Sequence, residues 1–468
     1  MRLLAIAAGA AVLLAACATY APDDVEAAAR PAVLVTRDGE AWSADFTFDR
    51  DSPAWGFRRS ALRRSDRRPW RLAQWTVETP GVVLERQGDI DILRAVNGGT
   101  VPRRVRVAMR PAADNLEADY PNLVFTDGSV ALFTDHFDVF PLSSADAALN
   151  ATDGGSEVEG EASRVTWRDR AGPVLFRGKR RKAPTEIAAA SYVLFGGIPL
   201  IETPRLATVM DPRLPAWIGA EINDFAPKVV DYYAARLGTG PHDRPTIMMS
   251  WNGPAKGRRS MGGSVLDGLI VMAFEGEGVV QSSPELRDQA RWFIGHEGAH
   301  FWLGQVVRYE TRKDAWITEG GADLMAIRAL QALDPAYEAR QELQKEVDDC
   351  VALADEPVST AHERGELRAY YACGAVFAMV AEGLQKQRTG GDWFDVLRPL
   401  IDANRADEVL TREEWLASLS ALAGDTGVRG DVERLLDRGA SDPAAVLERL
   451  LKRGGVPVQR SNGKLTLR

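Results

Sequence analysis

Two histidines four residues apart flank a glutamate in His296-Glu297-Gly298-Ala299-His300. The chain of 468 residues holds only five His. A His-Glu-x-x-His run is expected by chance well under ~0.01 times in such a sequence. On an α-helix, positions i and i+4 share one face, about 6 Å apart along the axis. Two imidazoles so placed can bind one Zn²⁺, and Glu297 between them stands where it can take a proton from an activated water. Trp292, Phe293 and Ile294 precede the run, and Phe301, Trp302 and Leu303 follow it. A helix apolar on every side is a buried helix. Ionisable groups inside it need partners, because an unpaired buried carboxylate costs several kcal/mol. A bound cation provides one.

A catalytic zinc needs a further protein ligand. Eighteen residues separate His300 from Glu319, which lies in Trp316-Ile317-Thr318-Glu319-Gly320-Gly321-Ala322-Asp323. The segment opens another helical pattern, and its two glycines are costly there unless something packs closely against them. Two His and one Glu with a fourth position left open form a known catalytic zinc set. Asp323 is four residues beyond Glu319, on the same face. It can accept the free ring N–H of a ligand histidine; the plainer alternative is a solvent-facing Asp.

With these motifs the sequence resembles the gluzincin metallopeptidases, and most of all the aminopeptidase N family. That family commonly continues its zinc motif as His-Gln-Trp-Phe-Gly; here the run is His300-Phe301-Trp302-Leu303-Gly304. The resemblance implies one Zn²⁺ per chain held by His296, His300 and Glu319, with Glu297 as general base. It implies a peptide or protein substrate. It also implies a tyrosine that stabilises the oxyanion, in the family's Tyr-Glu-Lys-Gly. Tyr371-Ala372-Cys373-Gly374 keeps Tyr and Gly but not Glu and Lys, which points to Tyr371 with Tyr370 as its competitor. The implied fold is multidomain, β then α+β: an N-terminal β-sandwich followed by a thermolysin-like zinc metallopeptidase domain with a helical C-terminal part.

One departure bears on specificity. Family aminopeptidases carry Gly-x-Met-Glu-Asn, whose Glu holds the substrate's free α-amine. The corresponding stretch is Gly262-Gly263-Ser264-Val265-Leu266-Asp267-Gly268-Leu269-Ile270, with Val or Leu in place of that Glu and Asp267 as the nearest acid. The expected activity is therefore peptide hydrolysis without strong aminopeptidase character. The rival is a non-catalytic envelope lipoprotein using the same fold to bind a partner.

The elements that must carry these residues show in the periodicity. Residues 31–205 alternate with period two, as at Val105, Val107 and Met109 against Arg104 and Arg106, and Gly, Asp and Asn punctuate the runs. Many short strands with turns between them predict an all-β sandwich. Residues 206–390 then read as the catalytic domain, with a helix over 214–236 and strands at Thr246–Trp251 and Leu269–Phe274. The second of these strands is a candidate to pair with an extended substrate. Helical patterns follow at 284–305, 315–333, 336–354 and 366–387, and four shorter ones lie between 391 and 453 in a helical C-terminal extension over 391–468.

Arg2, an apolar run from 3 to 16 and Leu14-Ala15-Ala16-Cys17 resemble a bacterial lipoprotein leader, too short to span a bilayer at the ~20 residues this requires. Cys17 is then the lipidated residue, residues 17–30 are a linker, and the expected place is the cell envelope, on the periplasmic face of the outer membrane. Lys plus Arg number 57 against 66 Asp plus Glu, a net charge of −9. No basic surplus exists to neutralise phosphates, so nucleic acid is excluded as a broad partner. Of three Cys, Cys350 and Cys373 face an oxidising compartment where pairing is open to them. His136, His242 and His362 fall in polar segments and read as surface histidines.

Overall fold

The computed structural model describes residues 30–150, 160–461 and 463–468. The leader, Cys17 and almost all of the linker lie outside them. Among the described residues no helix is long and apolar enough to cross a membrane.

From Ala32 to Phe195 the chain forms sheets of six, four and five strands. Alternation drives this. In Arg104–Met109, Val105, Val107 and Met109 are buried while Arg104 and Arg106 are exposed. They pair across to Phe46, Ala44 and Trp42 on the strand Ala41–Thr47. Val35, Phe46, Trp55, Leu93, Leu132 and Val193, drawn from all three sheets, share one apolar core. Each such side chain contributes about 1.5–3 kcal/mol when fully buried. The basic segment Arg177–Lys182 contains the strand Lys179–Arg181, from which Arg180 donates to the carbonyls of Gly196 and Ile198.

A mixed sheet follows, built from β1 (Ile201–Glu202), β2 (Ala207–Met210), β3 (Thr246–Trp251), β4 (Ser260–Leu266) and β5 (Leu269–Glu275), in the order β1-β2-β3-β5-β4. β2, β3 and β5 run parallel, and helix α1 (Ala216–Leu237) is the crossover between β2 and β3. On β5, Leu269 and Val271 face the five-stranded sheet of the preceding region, packing with Phe133 and Leu194. Ile270, Met272 and Phe274 face the helices. A strand buried on both faces reads as a continuous apolar run, as this one does.

One expectation changes here. β5 is paired with β3 on one side and β4 on the other, so it offers no edge to a substrate; the edge strand is β4. The stretch from Gly262 to Leu266, the counterpart of the family's Gly-x-Met-Glu-Asn segment, is part of β4, in register from Ser260 opposite Glu275 to Leu266 opposite Leu269. Asp267-Gly268 makes the hairpin turn, with Gly268 at φ +64°.

Helix α2 (Pro284–Ala299) begins with Ser283, whose hydroxyl accepts from the Leu286 N–H, and Pro284 in its first turn. It stops short of the predicted 305 because Gly304 at φ +147° turns the chain back, bridging Leu303 to Val307. The helices α3 (Trp316–Leu333), α4 (Ala339–Leu353), α5 (Arg368–Thr389), α6 (Trp393–Ala403), α7 (Arg412–Ala423), α8 (Gly427–Asp437) and α9 (Pro443–Arg453) follow. The extension is not helical throughout. Gly454 and Gly455 end α9, and a hairpin of Val458–Ser461 and Lys464–Leu467 packs on α4, where Gln344 donates to the Leu465 carbonyl.

The glycines of α3 have their close neighbour. A Cβ at Gly320 would sit 2.2 Å from the Gly374–Ala375 backbone, and one at Gly374 would sit 2.2 Å from the Trp316 carbonyl oxygen. Two bare backbones therefore touch, which brings α3 and α5 together one residue from Glu319 and three from Tyr371. A Cys350–Cys373 disulfide joins α4 to α5, with Cα atoms 4.8 Å apart.

Candidate metal centre

His296 lies in the last turn of α2 and His300 caps its end. Asp323 Oδ1 lies 2.7 Å from His296 Nδ1, and the Leu303 carbonyl oxygen lies 2.8 Å from His300 Nδ1. Each acceptor assigns a proton to Nδ1, which leaves the two Nε2 lone pairs facing inward. Those nitrogens are 3.1 Å apart, and Glu319 Oε2 lies 3.5 Å from the first and 3.4 Å from the second. All three ligand atoms fall within 4.8 Å of one another. Glu319 Oε2 is buried with no hydrogen-bond donor. Acceptors aimed at one another fit a cation, and two imidazoles with a carboxylate are a donor set suited to zinc.

Position comes from packing. Gly295 is tight against Ala326, where a Cβ would be 3.1 Å from that methyl, so α2 lies close on α3. Trp292, one turn before His296, stacks on its ring at 5.4 Å between centroids. The Tyr371 ring lies 5.6 Å from the same imidazole and 20° from parallel. Tyr370 is directed elsewhere: its hydroxyl donates to the Ser359 carbonyl at 2.8 Å and meets His362 Nδ1 at 2.7 Å. Of the two tyrosines, Tyr371 is the one beside the histidines.

The charges are strongly coupled. Burial disfavours a proton on His296, but Asp323, Glu319 and Glu297 together outweigh it and hold its pKa well above the usual histidine value. The same contest, with Glu319 foremost against burial, raises His300. Burial would lift Glu319, yet His300 and His296 hold it far below the usual carboxylate range. Glu297, 8% exposed, is pushed up by burial, only partly opposed by the two histidines. A carboxylate lifted in this way accepts a proton more readily than an ordinary one. Burial and then Glu319 push Tyr371 up, so its hydroxyl remains a donor.

The surroundings add detail that sequence spacing did not carry. Val265 packs among the partly buried residues of the helical core, and Leu266 is buried at the junction with the β sheets. Asp267 sits at the hairpin turn with His242, 2.5 Å from its Nε2. His136 is no surface residue: it is 1% exposed, 3.3 Å from Asp119 and against the Trp70 ring. His362 is partly buried on Tyr370. A cleft of about 1020 Å³ lies between β4 and the β region, lined by Gly262, Gly263, Ser264, Asp114, Asp119 and Thr126. Gly263 is close on α2, since a Cβ there would be 2.9 Å from the Phe293 ring. Arg368 was also missed. It donates to Asp323 from a third helix, a contact between segments 45 residues apart that leaves no local pattern.

The fold is similar to that of a solved aminopeptidase N family protein. The chain is similar to the crystal structure of an aminopeptidase N family protein from Idiomarina loihiensis, with a TM-score of 0.62 at 11% identity, over 92% of this chain and 79% of that one. An M1 zinc metallopeptidase from Deinococcus radiodurans aligns over 88% of this chain and 93% of that one, at 13% identity and a TM-score of 0.45. No protein-family model matches the sequence, and no curated protein matches it. The likeness, carried by the Idiomarina structure, is one of fold.

Proposed function

We propose that this chain is a zinc-dependent peptidase whose metal is held by His296, His300 and Glu319. The observation that carries the reading is the convergence of two buried histidine nitrogens and the Glu319 Oε2 atom, itself buried without a hydrogen-bond donor, beside the buried Glu297. Zinc held there would supply Lewis-acid chemistry, polarising a scissile carbonyl and lowering the pKa of a water toward ~7. The Glu297 carboxylate would take a proton from the attacking water and return it to the leaving amine. Tyr371 donates its hydroxyl hydrogen to the oxyanion as charge develops there. Asp323 keeps the His296 proton on Nδ1 and so orients the ring. The free backbone edge of β4 pairs with an extended peptide, giving affinity without side-chain choice.

The chain is not a strong aminopeptidase in this reading. A free α-amine carries a full charge and needs a carboxylate partner, and Val265 offers none. N-terminally blocked peptides are expected to be cleaved at least as well as free ones. Cys17 tethers the enzyme to the envelope, so Cys17→Ser is expected to abolish acyl labelling. The test of the whole reading is hydrolysis of a broad fluorogenic peptide library, with and without chelator, by wild type and Glu297→Gln. Chelator-sensitive cleavage that falls about 10²–10⁴-fold in the variant supports it. Full turnover in Glu297→Gln overturns the mechanism, and no cleavage of any peptide favours a binding scaffold.

A further inference from the structure

Arg368 is the first residue of α5, one helical turn before Tyr371. A cation at a helix N-terminus faces the positive end of the dipole, so it needs compensation from elsewhere. Three carboxylates from two other helices provide it. Arg368 lies 3.3 Å from Asp323 on α3, 2.7 Å from Glu346 and 2.8 Å from Asp349 on α4. Asp323 and Glu346 are buried, at 0% and 1% exposure. The guanidinium is thus the point where three helices meet, and its rigid fork suits several carboxylates at once.

We propose that Arg368 is a positioning residue: it pins the start of α5 to α3 and α4, and so holds the Tyr371 ring and the Asp323 carboxylate in register with His296. The inference rests on the proposed peptidase reading and names a residue outside that machinery. Asp323 receives the His296 N–H on one oxygen and Arg368 on the other, at 2.7 and 3.3 Å. Loss of the guanidinium frees one oxygen, and the carboxylate can then rotate and carry the imidazole with it. The same loss releases the first turn of α5, while Gly374 against Gly320 and the Cys350–Cys373 disulfide still hold the helix further along.

The test uses Arg368→Met, Arg368→Lys, Tyr371→Phe and the Arg368→Met/Tyr371→Phe pair in the full chain, each also loaded with Co²⁺. Arg368→Met is expected to lower kcat about tenfold with KM unchanged and to shift the visible cobalt spectrum, with Arg368→Lys intermediate. The part of its effect on kcat that passes through the Tyr371 hydroxyl should vanish in the Tyr371→Phe background, leaving less than the full product of the two single losses, while the cobalt shift carried by Asp323 should persist. A wild-type kcat and cobalt spectrum in Arg368→Met overturns the proposal, as does full additivity with Tyr371→Phe. If Arg368→Met does not fold, Glu346→Gln and Asp349→Asn each remove one arm of the clamp, and the same two readouts decide. The peptidase reading fails separately, through an active Glu297→Gln; the cobalt spectra still judge Arg368 in that event.

Discussion

Two buried charged clusters in this molecule are built on opposite rules. In the β region, Arg71 and Asp91 are both fully buried and 2.6 Å apart. The guanidinium also donates to the carbonyls of Arg59 and His136 and lies 4.1 Å over the Phe57 ring, while Arg86 gives Asp91 a second donor. Nearby, burial pushes the Asp119 carboxyl up, but His136 more than offsets it and holds it low. Cations there face anions. At the end of α2 the pattern is reversed: two Nε2 lone pairs and a carboxylate oxygen face one another. In the first cluster opposite charges pair within the chain; in the second, as proposed above, a cation from outside would supply the missing positive charge. Burial alone does not separate a structural site from a candidate functional one; whether opposite charges or like acceptors face one another does.

The largest effect expected from breaking this contrast lies in the charge-paired cluster of the β region. Asp91→Ala strands Arg71 in the interior, and breaking a buried pair on one side costs about 3–5 kcal/mol. Denaturant unfolding should show that loss, while zinc bound per folded molecule stays at wild type. A stability change under ~1 kcal/mol would contradict the assignment.

A smaller loss is expected from Asp323→Asn. It keeps the volume but disturbs the partner of His296, and zinc affinity should fall about 10–100-fold. Competition with a chromophoric chelator measures this directly. Unchanged affinity would mean that His296 needs no oriented proton.

The gentlest probe is pH. In the metal-free protein His296 is held above its ordinary value of about 6.5, so between that pH and the raised value it carries a proton that zinc must displace. Zinc affinity should therefore strengthen as pH rises through this window, by at most about tenfold per unit for one proton. The stability of the metal-free chain should move the other way. The contribution of protonated His296 is fully present below about 6.5 and is lost as pH rises through the raised pKa. A flat affinity profile would remove the coupling.

What could be read from the sequence was what is local. His296, Glu297 and His300 share one helix, where a fixed spacing determines a shared face, and Glu319 with Asp323 does the same on the next helix. Period-two alternation located strands such as Arg104–Met109, because each side chain there meets only the sheet's two faces. β4 was hidden, since Gly262, Gly263 and Ser264 have little β propensity and become a strand only by pairing with β5. The burial of His136 was hidden as well: Thr134-Asp135-His136 is polar, and only the fold supplies Asp119 and Trp70. Arg368 depends on three helices converging, and the Cys350–Cys373 pairing on α4 and α5 lying side by side. Neither follows from any window of sequence.

The central claim is that the three inward-facing acceptors share one zinc. A crystal of the purified protein measured on both sides of the zinc absorption edge tests it. The account predicts a single anomalous peak at about 2.0–2.2 Å from Nε2 of His296, Nε2 of His300 and a carboxylate oxygen of Glu319. The peak should be absent in Glu319→Ala. A peak bound by other residues would contradict it, and so would zinc-supplemented crystals with no peak between the two histidines.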